Sequence, residues 1–206
     1  MAINQNIPDA WSSYVTQTNL GLEVVPAVLY DTLTLPAAGG TQELRFYQQI
    51  NQPLDITNMK TVGMLSNPEA FLIQTIGFFF RGSPQSTTAG AASAEQQGQF
   101  DDVVRVTNVG IAELTIGNKK YGPWPLWRLP ASTFTKGLMS ASGATVINYG
   151  QLDGPMYPLF PNLMLSPLQP FVMSVRWPSS ATGSPVITAN TPLECLFDGQ
   201  LARSIQ

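Results

Sequence analysis

No histidine occurs among the 206 residues. The commonest general base and metal ligand is therefore missing, and neither a Ser-His-Asp nor a Cys-His arrangement can be built. Cys195 stands alone. That excludes an internal disulfide, and structural zinc, which needs clustered Cys and His, is not expected. The 13 acidic residues show no catalytic spacing. Asp101 and Asp102 are adjacent, so on a strand their carboxylates point to opposite faces. Asp153-Gly154 and Asp198-Gly199 read as turn signals before they read as ligands. No DxDxDG calcium loop and no GxxxxGK[ST] phosphate loop is present. We therefore expect no catalytic residues, no metal, no cofactor and no enzymatic activity. Two carboxylates distant in sequence but meeting in space are the remaining route to hydrolytic chemistry.

Residue types suited to binding are concentrated in one place. Lys119, Lys120, Tyr121, Trp124, Trp127 and Arg128 fall within a short aromatic and proline-rich stretch. Large aromatics beside a guanidinium anchor protein interfaces. The same set could stack on sugar rings, or on nucleic-acid bases next to the cations. The two tryptophans could equally plug the end of a β-sandwich as core. Trp11, near the N-terminus, is a further candidate anchor on a neighbouring subunit.

The elements that position these residues read as strands. Glu69–Arg81, EAFLIQTIGFFFR, is the longest apolar run. Asn67-Pro68 and Gly82-Ser83-Pro84 bound it, and β-branched and aromatic residues favour a strand over a buried helix. Strict alternation puts Phe71, Ile73, Thr75, Gly77 and Phe79 on one face, and Leu72, Gln74, Ile76, Phe78 and Phe80 on the other. Both faces are mostly apolar, so the second needs a cover: another sheet, the chain's own loops or a neighbouring subunit. Phe78 and Phe80 are interface candidates on that ground.

Residues 1–22 read as an extended arm and 23–206 as a single β-sandwich domain. Val24–Leu35 is a predicted strand, with Pro26 near its start marking an edge or a strand entry. Glu43–Gln48 alternates with Leu44 and Phe46 inward and Glu43, Arg45 and Tyr47 outward. A short strand is expected around Lys60–Leu65, another over Phe100–Thr107, and a hairpin with Gly117-Asn118 at its turn. Ser83–Gln99 is a polar, low-complexity loop. Prolines forbid an interior strand or helix over Tyr121–Pro130, which reads as an extended, partly polyproline-like segment, and they make Asp153–Pro170 an irregular crossing. Ala144–Tyr149 is a short strand. Phe171–Trp177 alternates, with Phe171, Met173, Val175 and Trp177 on one face and Val172, Ser174 and Arg176 on the other. Leu193, Cys195 and Phe197 share one face of the last strand, with a bulge at Gly199.

Eight to ten short strands with long Pro/Gly-rich connections give an all-β chain. The expected architecture is a two-sheet antiparallel β-sandwich of jelly-roll or Greek-key topology.

Composition bounds the partners. Charged residues are only 11%, against about 25% in ordinary globular domains. Gln, Asn, Ser, Thr, Pro and Gly take their place, giving a surface suited to dense packing or simply to polar loops. The net charge of −3 and pI near 4.8 give no bulk attraction to nucleic acid or anionic membrane. MAINQNIPDAW lacks the features of a signal peptide, and no apolar run is long enough for a transmembrane helix. A soluble chain made in the cytoplasm is expected.

The polar arm, the Pro-rich crossings, the run NMKTVGMLSNPEAFLIQTIGFFF (Asn58–Phe80) and the tail PLECLFDGQLARSIQ (Pro192–Gln206) together resemble the jelly-roll structural proteins of bacteriophage capsids. That group includes decoration or cement proteins and small coat proteins. The resemblance implies a non-enzymatic virion component that self-associates as trimers or larger rings and contacts other capsid proteins. Coat proteins of this fold often carry a basic arm for the genome; residues 1–22 contain no Lys or Arg, which points to an outer position away from nucleic acid. The competing expectation is a carbohydrate- or receptor-binding sandwich using Tyr121, Trp124 and Trp127 as an exposed glycan platform.

Overall fold

The computed structural model describes residues 11, 22–81, 103, 105–129, 139–142, 145–148, 156–177, 184–187 and 190–204. The arm other than Trp11 and the expected loop Ser83–Gln99 lie outside these residues. The described strands are β1 (Leu22–Leu35), β2 (Glu43–Phe46), β3 (Ala70–Phe80), β4 (Ile111–Ile116), β5 (Lys119–Pro125), β6 (Met139–Ser142), β7 (Thr145–Asn148), β8 (Tyr157–Leu165), β9 (Phe171–Arg176) and β10 (Thr191–Ser204).

Two antiparallel four-stranded sheets form, in the orders β1-β10-β3-β8 and β2-β9-β4-β5. The pairing is nested: β4 with β5, β3 with β8, β2 with β9 and β1 with β10. A ribbon of nested antiparallel pairs folded over on itself is a jelly roll. The β6–β7 hairpin forms a separate two-stranded sheet between β5 and β8 in sequence.

Alternation accounts for most of the interface between the sheets. Phe171, Met173 and Val175 of β9 are buried, as are Ala112, Leu114 and Ile116 of β4 and Leu193, Cys195 and Phe197 of β10. Phe46 meets Phe78 edge to face at 5.5 Å. Tyr47 stacks obliquely on Phe197 at 4.7 Å and on Phe171 at 5.4 Å. These aromatic contacts join the two sheets. The β4–β5 hairpin turns at Gly117-Asn118, with Ile116 opposite Lys119 and Gly117 at φ 57°. A positive φ at the first central residue is what a two-residue hairpin turn requires.

The apolar run behaves differently from strict alternation. Phe71, Ile73, Ile76, Phe78 and Phe80 all belong to the one core between the sheets. The phase changes because β3 carries an extra residue, Gln74: Ile73 pairs with Gly199 and Thr75 with Asp198. A single-residue bulge moves every later side chain to the other face. Ile76, Phe78 and Phe80 therefore do not share the outer face with Leu72, and Phe78 and Phe80 need no neighbouring subunit to cover them. The bulge forecast at Gly199 sits at that level of the sheet, but the extra residue is on β3. Gly199 is the residue that receives it. A Cβ there would lie 1.9 Å from the Leu72 carbonyl oxygen and 3.2 Å from the Gln74 nitrogen.

Four other expectations are corrected. Lys60–Leu65 forms turns, with an isolated bridge from Leu65 to Pro167 in place of a strand. Residues 105–109 are helical, and Val106 is buried, with its carbonyl accepting from Trp177 Nε1 at 3.3 Å. Tyr157–Leu165 is a strand despite its prolines, as is Lys119–Pro125, where the prolines exclude only an interior strand. Both lie at sheet edges, where a missing N–H leaves no ladder bond unmade. Tyr47, expected outward, is fully buried with φ 66°. The left-handed turn after β2 swings its ring inward.

Asp31 holds that turn. It lies on the inner face of β1, opposite Cys195, and is fully buried. Its Oδ2 accepts the Tyr47 N–H at 2.5 Å and its Oδ1 accepts Gln49 Nε2 at 3.3 Å. The Tyr47 hydroxyl lies 3.1 Å from the Cys195 carbonyl oxygen and 3.3 Å from that of Leu29.

Two outcomes follow from these packed sites. Gly199→Ala should lower unfolding free energy by about 1–3 kcal/mol, as overpacking against backbone does. Urea unfolding measures it, and an unchanged midpoint would rule out the close approach. Burial pushes the Asp31 carboxyl above its ordinary 3.8, against the hydrogen bonds from Tyr47, Thr57, Thr32 and Gln49. The folded chain then binds this proton more tightly than the unfolded chain. Its contribution is full below about pH 3.8 and is lost as pH rises through the folded value. The stability of wild type minus that of Asp31→Asn should therefore fall with rising pH across that window. A flat or rising difference would contradict the buried setting.

Candidate functional site

The aromatic stretch identified in the sequence runs along one flank of the sandwich, where edge strand β5 of one sheet faces edge strand β8 of the other. Trp124 of β5 and Tyr157 of β8 lie 6.4 Å apart, ring centre to ring centre. The Arg128 guanidinium sits 5.4 Å over the Tyr157 ring, within cation–π range. Just beyond, Leu129 accepts the Phe78 N–H at 2.8 Å. The chain thus crosses from the β5 edge to the β3 backbone and closes the side of the sandwich.

A second bulge decides which aromatics face in. Leu114 pairs with Tyr121, but Ala112 pairs with Trp124, so Gly122 and Pro123 together oppose Glu113. Tyr121 and Trp124, an odd and an even position, therefore both pack against the core as partly buried side chains. Gly122 permits this: its φ is 104°, and a Cβ there would lie 2.9 Å from the Trp124 ring. A 3-10 turn, Leu126–Arg128, follows. Leu126 and Leu129 point inward and are buried, whereas Trp127 between them is 54% exposed.

Across the flank, β8 departs from regular pairing. Leu163 opposes Ile73 and Pro158 opposes Thr75, so the residues between them on β8 face only Gln74. Phe160 lies in this looped-out stretch and is 91% exposed, while its neighbour Leu159 is buried. Trp127, Phe160 and Arg128 thus project from a flank whose floor is Tyr121, Trp124 and Tyr157. Lys120, at the far end of β5, is paired with Glu113 at 2.9 Å.

The remaining predicted residues lie elsewhere. Phe78 and Phe80 are in the central core. Trp11 is buried on the outer face of the β1-β10-β3-β8 sheet, against Ala70, Leu72 and Ala202, with Val24 and Met164 beside them. Its indole N–H donates to Gln200 Oε1 at 2.7 Å. Trp11 therefore docks on its own chain here. Of the predicted set, the structure brings together Tyr121, Trp124, Trp127 and Arg128. It adds Tyr157 and Phe160, which the sequence reading left inside an irregular crossing. The PLFP stretch, a phenylalanine between two prolines, was the available signal: such a residue has poor access to a regular buried strand face.

Cys195, Tyr47 and Glu43 are placed as structure. Burial pushes the Cys195 thiol and the Tyr47 phenol well above their ordinary ranges, which removes the thiolate that reactivity needs. Burial pushes the Glu43 carboxyl up, but hydrogen bonds from Ser174 and Arg176 and the charges of Arg176 and Arg45 bring it below its usual value. Glu43, Arg176, Glu113 and Lys120 form a ladder of ion pairs. Its members come from β2, β9, β4 and β5 in turn, so it runs across the whole β2-β9-β4-β5 sheet. No helix among the described residues is long and apolar enough to cross a membrane. Comparison with protein-family models, curated proteins and solved structures finds no match for this chain.

The opposite settings of the two tryptophans can be measured. Trp124→Ala should cost about 2–4 kcal/mol of unfolding free energy, and Trp127→Ala no more than about 0.5 kcal/mol. Equal losses in denaturant titrations would contradict this division of the flank.

Proposed function

We propose that this chain is a non-enzymatic structural subunit of a bacteriophage virion, a capsid decoration, cement or coat protein that self-associates and packs against other capsid proteins. One observation carries the reading: the jelly roll guards its sheet edges against strand pairing, yet projects large apolar side chains from the β5–β8 flank. Jelly rolls also occur in lectins and cupins, so the fold supports the reading without selecting it. The resemblance of Asn58–Phe80 and Pro192–Gln206 to capsid jelly rolls adds to it. So does the low charge, which weakens repulsion between copies.

The edges constrain how such a subunit could assemble. β5 carries Pro123 and Pro125, and β8 carries Pro158 and Pro161. β1 is covered near its middle by residues 56–58: Thr32 N–H donates to the Ile56 carbonyl at 2.9 Å, and Asn58 N–H donates to that of Tyr30 at 3.3 Å. β2 is short and outwardly charged. These are devices that block edge-to-edge strand addition. Contacts between subunits would then be made by side chains, and a Phe and a Trp standing clear of the surface are suitable anchors. A glycan platform would need Tyr121, Trp124 and Trp127 exposed together, and two of the three pack against the core.

Light scattering across a concentration series tests the proposal. Wild type should form a trimer or larger closed ring, and Phe160→Ser with Trp127→Ser should raise the association midpoint tenfold or more while leaving the fold intact. A wild-type monomer at every concentration, with no binding to a capsid shell, would overturn it.

A further inference from the structure

Trp11 occupies a site with the features of a receptor for one side chain. The walls are small where the indole enters: Ala70 and Ala202 are register partners on β3 and β10. Val24 of β1 pairs with Ala202, and Met164 of β8 pairs with Leu72, so four adjacent strands each contribute one side of the slot. Gln200 supplies the acceptor that an indole N–H needs when it leaves water. The cluster is separate from the core between the sheets, so it can empty without unpacking that core.

The occupant is joined to β1 through residues 12–21, which could span up to roughly 35 Å if extended. Nothing in the slot's chemistry distinguishes the chain's own Trp11 from that of another copy. Exchange of an identical element between protomers forms the same contacts at little cost. We propose that the slot on the β1-β10-β3-β8 sheet accepts Trp11 from a second copy of this chain, so that N-terminal segments cross between subunits. The inference rests on the assembly reading above and names one of its contacts.

The test uses two full-length variants. Trp11→Ala has an open slot and no indole to donate. Ala202→Phe has a filled slot and an intact Trp11. Each alone should associate at least tenfold more weakly than wild type. Mixed, they should form a one-to-one heterodimer by native mass spectrometry, because one usable slot meets one usable indole. Ala70→Phe replaces Ala202→Phe if the latter fails to fold. A labelled peptide of residues 1–21 should also bind the Trp11→Ala protein, at least tenfold more tightly than the same peptide with Trp11→Ala. Peptide binding without a heterodimer would confine the slot to its own chain and overturn exchange. Trp11→Ala assembling as well as wild type would overturn exchange while leaving the assembly reading standing. A wild type that never self-associates would remove both.

Discussion

The close approach of the β3 backbone to Gly199 is the contact on which the rest of the packing depends. Gln74 adds a residue to β3 between Ile73 and Thr75, and only a residue without a Cβ can lie opposite it. With the bulge in place, Phe71 and Ile73 before it and Ile76, Phe78 and Phe80 after it serve the same core. Without it, either the two before the bulge or the three after it would face away from the core. Before the bulge, alternation with Phe71 and Ile73 puts Ala70 and Leu72 on the outer face, where they become the floor of the Trp11 slot. One inserted residue therefore sets what the core contains beyond Ile73.

The same device recurs at the opposite edge. Gly122 and Pro123 oppose Glu113, and the phase change turns both Tyr121 and Trp124 inward. The flank is consequently built in two layers. Tyr121, Trp124 and Tyr157 belong to the fold, while Trp127, Arg128 and Phe160 are presented outward. Prolines on β5 and β8 keep these edges from pairing with another strand.

Among the described residues the buried carboxylates are Asp31 and Glu194, and both are hydrogen-bonded. Asp31 ties the left-handed turn at Tyr47 to β1. Glu194, nearly buried at the start of β10, is matched by the Arg81 guanidinium at the end of β3, which also donates to the Asp55 carbonyl. A buried carboxylate is costly unless hydrogen-bonded or paired, and each of these two fixes a connection where the chain leaves a strand.

Several features were legible in the residues themselves. The alternation of Phe171–Trp177 and of Leu193–Phe197, the Gly117-Asn118 hairpin and the abundance of Gly and Pro specify an all-β sandwich, because these are local preferences that each segment expresses alone. The absence of histidine and the isolation of Cys195 restrict the chemistry without any structure. The faces of β3 and β5, the inward turn of Tyr47 and the strand character of Tyr157–Leu165 were decided by tertiary structure. A bulge exists only between two paired strands, and an edge only in a finished sheet. Whether a proline is tolerated, or an apolar side chain is covered, depends on neighbours far away in sequence. Trp124 and Trp127 are the same residue type three positions apart; which one is core and which is surface was set by the bulge at Gly122 and the 3-10 turn that follows.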